Sequence, residues 1–175
     1  EVKLLDDLLS EKGHNCRLHI IIETNEGLEN AFDIANCSQR IDALFFGGVD
    51  MSAELRCENK WEPLLYARSR IVHAAASAGI DAIDVPYLDL DDLDGMKEEA
   101  IKAKELGFSG KGSIHPKQIS VLNNVFTPSV EVIERAKKIT STFEEANKFE
   151  ESSNQILDFS REVKIFHVHD KVKFL

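Results

Sequence analysis

Ala43-Leu44-Phe45-Phe46-Gly47-Gly48-Val49-Asp50 sets four apolar residues in a row, then two glycines, then a carboxylate. An unbroken apolar run this short, closed by glycines, reads as a strand buried on both faces. Upstream, Leu18-His19-Ile20-Ile21-Ile22 is a second compact run, rich in β-branched residues. Downstream, Ala82-Ile83-Asp84-Val85 and Gly112-Ser113-Ile114 are two shorter candidates. Between and around these runs the period changes to that of helices. Val2, Leu4, Leu5, Leu8 and Leu9 form a helical stripe stopped by Gly13. Helices are further predicted over about 27–36, from Pro63 to Ala78 with Gly79 past its end, from an acidic cap at 89–94 to Leu106, and over about 129–148.

The order is one helix, then four strand–helix units, which predicts a parallel sheet. Four units fit either an open doubly wound sheet or half of a (β/α)8 barrel, since a whole barrel takes roughly 250 residues. The chain has 175 residues. No strand is followed by the glycine fingerprint of a dinucleotide site, which weakens the doubly wound alternative. Residues 1–148 read as the folded part, and 149–175 as a poorly specified tail that opens on the linker-like Glu150-Glu151-Ser152-Ser153-Asn154. A chain beginning at Glu1 rather than Met is expected to have residues upstream.

A formal net charge of −10 disfavours nucleic acid and anionic membrane surfaces as partners. It leaves room for a small anion held by a local cation or metal. Cys16, Cys37 and Cys57 show no metal-ligand spacing and read as free thiols of a reducing compartment. No apolar run is long enough to cross a membrane as a helix, and no signal peptide is evident. The stretch Asp89–Gly95 fails as a calcium loop because Leu93 takes a ligand position, the glycine is late, and Ala100 stands where Glu is required.

In parallel α/β folds the chemistry sits at the carboxyl ends of the strands. That rule selects Glu23-Thr24, Gly47–Asp50, Asp84 with Tyr87, and His115-Pro116. Acids on two neighbouring strand tips, about 4.8 Å apart, can share one hard cation such as Mg2+. The diglycine lets backbone approach a ligand closely. The alternative for Asp50 is a turn former or helix cap, and for Glu23 a solvated side chain. Arg68 and Arg70 read as structural ion-pair partners, and His115 as a turn residue or a cleft liner.

From Ile21 to about Ile139 the chain resembles the HpcH/HpaI aldolase and citrate-lyase β-chain family, which includes malyl-CoA and citramalyl-CoA lyases. The resemblance rests on Ile22-Glu23-Thr24, Leu44–Asp50, Tyr66-Ala67-Arg68-Ser69-Arg70, Gly79–Asp84, Gly107–Lys111 and Ile114-His115-Pro116-Lys117-Gln118, six motifs in the family's order and spacing. It implies the second half of a (β/α)8 barrel, a fragment of the whole. It implies Mg2+ held by Glu23 and Asp50, with Glu23 also touching substrate through the ion. The implied activity is Mg2+-dependent carbon–carbon cleavage of a 3-hydroxyacyl-CoA or a citryl thioester, giving an α-keto acid and an acyl thioester. A homo-oligomer in the cytoplasm, or in the mitochondrial matrix of a eukaryote, is expected with it.

Three departures qualify the match. The family's first four strands, with a substrate-gripping arginine, have no counterpart, so no catalytic acid or base is assigned. Val49 replaces a residue that is often acidic or small. The family's C-terminal Asp, which serves a neighbouring subunit, cannot be placed, although Asp158 and Glu162 lie in that region. The alternative function is therefore a non-catalytic truncated relative, or a subunit, that binds CoA esters or carboxylates. The 175 residues alone are expected to lack lyase activity and to self-associate.

Overall fold

The computed structural model describes residues 1–149. Four parallel strands lie side by side in chain order: β1 (Leu18–Ile22), β2 (Ile41–Phe46), β3 (Asp81–Asp84) and β4 (Gly110–Lys111). The α/β alternation and the parallel order are as the sequence predicts. In register, Ile22 faces Phe46, Leu44 faces Ala82, and Asp84 faces Lys111.

Side chains alternate across the sheet. Ile22, Leu44, Phe46 and Ala82 point to one face and are buried there with Ala67, Ile71, Ala74 and Ala75 of α5 (Leu65–Ala78). The small alanines let that helix lie close to the strands, and it ends at Gly79 with φ +69°. The other face is open. Ile21 is 58% exposed there, and His19 stacks on Phe45 with ring centroids 5.7 Å apart. Parallel sheets are ordinarily covered on both faces, so this one-sided burial is unusual.

Four details depart from the sequence reading. The fourth strand is Gly110–Lys111, not 112–114. Lys111 looks too polar for a core strand, but two carboxylates neutralise its buried ammonium. The helix expected over 27–36 is two short ones, α2 (Asn25–Glu29) and α3 (Ala31–Asn36), parted at Asn30. The segment after the diglycine, for which the sequence predicts no helix, is the start of α4 (Gly48–Leu55), anchored by fully buried Met51. Pro63 lies just ahead of α5 rather than in its first turn.

The remaining helices are α1 (Val2–Glu11), α6 (Leu93–Leu106), α7 (Pro116–Phe126) and α8 (Val130–Phe149). α1 is tied down by Asp6, which pairs with Arg40 at 2.6 Å, while Leu4, Leu5 and Leu8 stay exposed. Two compact units are present: Glu1–Phe126 holds the whole sheet, and a second begins at Thr127 and holds α8. Asp158, Glu162 and nearly all of the tail predicted from 149 lie outside the described residues. Among the described residues no helix is long and apolar enough to cross a membrane.

Candidate functional site

β1 stops at Ile22, and Thr24 caps α2 by accepting the Gly27 N–H at 3.0 Å. Glu23 is therefore held between a strand end and a helix start, with little backbone freedom. Gly47 N–H donates to Ile22 O at 3.0 Å, extending the ladder by one step and bringing Gly47 alongside Glu23. A Cβ added at Gly47 would lie 2.4 Å from the Glu23 Cβ and 2.9 Å from its Oε2. Only glycine lets the backbone at 47 lie this close to Glu23.

Asp50 lies in the first turn of α4, exposed, where a negative charge also suits the helix dipole. The two acid-bearing segments are clasped together. The Asn25 amide donates to Glu54 Oε2 at 3.2 Å and to Glu54 O at 3.4 Å, and its backbone N–H reaches the same carboxylate at 3.3 Å. Glu54 stands one helical turn beyond Asp50, on the same face of α4. Among the described residues neither Glu23 nor Asp50 is engaged in a salt bridge or side-chain hydrogen bond.

These residues suit a hard cation. The donors are carboxylate oxygens, and a glycine cradle keeps one of them in place. Among the described residues no group of three or more His, Cys, Asp or Glu side chains could hold a metal. An ion here would complete its shell with water and substrate oxygens, as Mg2+ commonly does.

The third acid of the expected set is unavailable. Asp84 is fully buried, accepting from Arg68 Nε at 2.9 Å and from Lys111 Nζ at 2.7 Å. Lys111 also pairs with Glu99 of α6 at 2.6 Å. The Arg68 guanidinium carbon lies 4.8 Å from the Phe46 ring centroid and 4.6 Å from that of Trp61. Its Nη1 is buried without a hydrogen-bond partner among the described residues, facing an environment that those rings make favourable to a cation. The structural role read for Arg68 is thus correct. Arg70 is structural too, donating to the carbonyls of Leu28 and Glu29 at 2.7 Å each.

Beside this cluster a cavity of about 220 Å³ is lined by Lys60, Arg68, Val85, Pro86, Tyr87 and Glu99, among others. Neither Glu23 nor Asp50 borders it. Tyr87 donates its hydroxyl to Asp92 at 2.7 Å, and that bond, with burial second, pushes the phenol pKa up to about 12. Asp92 is held below the ordinary carboxylate value, first by the Gly95 N–H that it accepts as helix cap and then by Tyr87. His115 is exposed beyond β4, where its Nδ1 accepts the Lys117 N–H at 3.2 Å.

Sequence reasoning missed Lys111, Glu99 and Gln118. Gln118 is fully buried and joins the loops that follow β3 and β4. A charged residue within an apolar pattern, with opposite charges on neighbouring elements, is the signal that could have pointed to Lys111.

Comparisons with known proteins bear on the family of the chain. Residues 8–116 match the family model described as HpcH/HpaI aldolase/citrate lyase. Citrate lyase subunit beta of Escherichia coli is 38% identical over 127 residues, covering 71% of this chain and 42% of that protein. The L-malyl-CoA/beta-methylmalyl-CoA lyase of Rhodobacter capsulatus is 31% identical over 164 residues, covering 82% and 52%. A solved citrate lyase beta subunit from M. tuberculosis, complexed with oxaloacetate and magnesium, superposes with a TM-score of 0.58 at 29% identity, covering 64% of this chain and 53% of that one. The chain thus spans about half the length of the curated relatives it matches. By the match of the family model to most of the sheet-bearing unit, this chain belongs to the HpcH/HpaI aldolase/citrate lyase family.

Proposed function

We propose that the sheet-bearing unit is the second half of a (β/α)8 barrel and carries the Mg2+ ligands, Glu23 and Asp50, of a carbon–carbon lyase. The substrate class is a 3-hydroxyacyl-CoA or a citryl thioester, cleaved to an α-keto acid and an acyl thioester. The open sheet face supports the barrel, because His19 and Ile21 stand where a barrel interior would be packed. The family supports the chemistry, through relatives named as citrate and malyl-CoA lyases.

One observation carries the reading: Glu23 fills the space that any side chain at Gly47 would take, next to the turn that bears Asp50. Mg2+, when bound, supplies a Lewis acid for the oxygens of the α-keto acid portion. The residues of this chain hold and orient. Thr24 and the Gly47–Ile22 hydrogen bond fix the Glu23 backbone, and the Asn25–Glu54 clasp sets α4 and its Asp50 against the same strand end.

A second reading is a non-catalytic relative or subunit that binds CoA esters or carboxylates. It is favoured by the state of Arg68 and Lys111, the cations nearest the ends of β3 and β4. Both are engaged in buried ion pairs, which offset the charge either could offer a thioester enolate.

Calorimetric titration with Mg2+ tests the site, with binding expected for the chain and lost in Glu23→Ala and Asp50→Ala. Incubating the intact protein with malyl-CoA or citramalyl-CoA then separates the readings. Mg2+-dependent release of an α-keto acid supports the lyase, and thioester binding without cleavage supports the second reading. Absence of Mg2+ binding would overturn the metal assignment.

A further inference from the structure

Both polar atoms of the buried Gln118 side chain are hydrogen-bonded. Its Nε2 donates to Tyr87 O at 2.9 Å, in the loop after β3. Its Oε1 accepts the Ile114 N–H at 3.0 Å, in the loop after β4, and lies 3.3 Å from the Ser113 hydroxyl, whose single proton it shares with the nearer His115 carbonyl. These loops also touch directly, since a Cβ on Gly112 would come within 2.8 Å of Pro86 Cγ. One amide thus bolts together two of the loops at the carboxyl end of the sheet. An amide satisfies a carbonyl and an N–H at once with one neutral side chain, which no apolar side chain could do.

The segment pinned in this way ends in His115. The His115 carbonyl accepts from the Ser113 hydroxyl and from the Gln118 N–H, both at 3.0 Å. Its ring accepts the Lys117 N–H at Nδ1. An imidazole that accepts at Nδ1 carries its proton on Nε2 when neutral. His115 is therefore presented, exposed, with a fixed tautomer and an outward N–H.

We infer that Gln118 is a positioning residue, and that it holds His115 as a hydrogen-bond donor to the substrate. The inference rests on the lyase reading for the identity of that substrate. β4 is three strands from β1, roughly 14 Å along the sheet at about 4.8 Å per strand. His115 is thus remote from the Glu23 end of the site, and an extended thioester would meet it away from the bond that breaks. Its contribution belongs to binding, and is expected in KM rather than kcat.

The test has two arms. Long-range 1H–15N NMR of the chain reads the tautomer of each of its six histidines. His115 is expected as the Nε2–H form. In Gln118→Met, which keeps length and apolar body but has no amide, His115 is expected to relax to a tautomer mixture while the other five signals stay in place. A tautomer unchanged in that variant overturns the inference. Should Gln118→Met unfold and move all six, Gln118→Glu decides. That variant keeps the acceptor for Ile114 and Ser113 and is expected to preserve the His115 tautomer; its loss there overturns the inference.

The second arm is turnover of a 3-hydroxyacyl-CoA by the intact protein. Gln118→Met is expected to raise KM about two- to tenfold, the effect of one hydrogen bond, with kcat little changed. The increase should vanish when His115 is already Ala. A fall in kcat at constant KM, or full additivity of the two changes, overturns the inference. If the wild-type protein has no turnover, the lyase reading fails and the NMR arm alone decides the positioning claim.

Discussion

Glu23 and Asp84 are both acids at the carboxyl ends of parallel strands, on β1 and β3, and their surroundings could hardly differ more. Glu23 is half-exposed and, among the described residues, has no cationic partner, while glycine clears the space beside it. Asp84 is fully buried between Arg68 and Lys111, with Glu99 balancing the second positive charge. Two cations and two carboxylates leave the interior cluster neutral, as a buried ionic network must be. The contrast shows that strand-end position alone does not make a ligand. What distinguishes the two acids is whether neighbouring elements supply counter-charge: α5 and β4 do so for Asp84 through Arg68 and Lys111, whereas α2 and α4 bring no cation to Glu23.

The sharpest way to break this contrast is to remove the open pair. Asp50→Ala should abolish Mg2+ binding and Mg2+-dependent turnover of the intact protein, yet change unfolding free energy by no more than about 0.5 kcal/mol, because the side chain is exposed. Calorimetry and a urea melt check both halves of that statement. Lys111→Met should do the reverse. It leaves Asp84 with Arg68 alone and Glu99 without its close partner, and should cost about 3–5 kcal/mol in a denaturant melt. Mg2+ affinity should persist under conditions where that variant remains folded.

Gly47→Ala joins the two effects. Its new Cβ would collide with the Cβ of Glu23, an atom that no rotamer can move, so both stability and Mg2+ affinity should fall. The stability loss is expected at about 1–3 kcal/mol, typical of overpacking. Adding Glu23→Gly should restore stability but not metal binding, and a melt of the double variant reads this directly. The smallest effect concerns pH. Asp92 has a depressed pKa, so its cap on α6 contributes fully above its ordinary value of 3.8 and is lost as pH falls through its lower folded value. Tyr87 titrates in the opposite sense. Its contribution is complete below 10.0 and disappears as pH rises through about 12, which the phenolate absorbance band will report.

The strands were legible because runs such as Leu18–Ile22 and Ala43–Phe46 suit only a sheet buried by helices. α4 was not, because it opens on glycine, the poorest helix former after proline. Burial of Met51 outweighs that propensity, and burial is a tertiary fact. β4 was displaced by two residues for a similar reason, since the charge of Lys111 is neutralised only by residues 12 and 27 positions away. For the site, period and spacing led to the strand ends and no further. Family resemblance then singled out Glu23 and Asp50, while the roles of Asp84 and Gln118 depend on partners in other elements that no local pattern encodes.

The Arg68 guanidinium lies over Trp61, the only tryptophan of the chain, and the Lys102 ammonium stands 5.9 Å from the same ring. An excited indole is sensitive to the electric field of nearby charges, so its emission is a built-in optical gauge of the ionic cluster. Loosening that cluster should shift the spectrum, whereas loading the Glu23 end of the sheet with Mg2+ should leave it unchanged. A single fluorescence cuvette can therefore follow the two ends of the sheet independently, with no label attached to either.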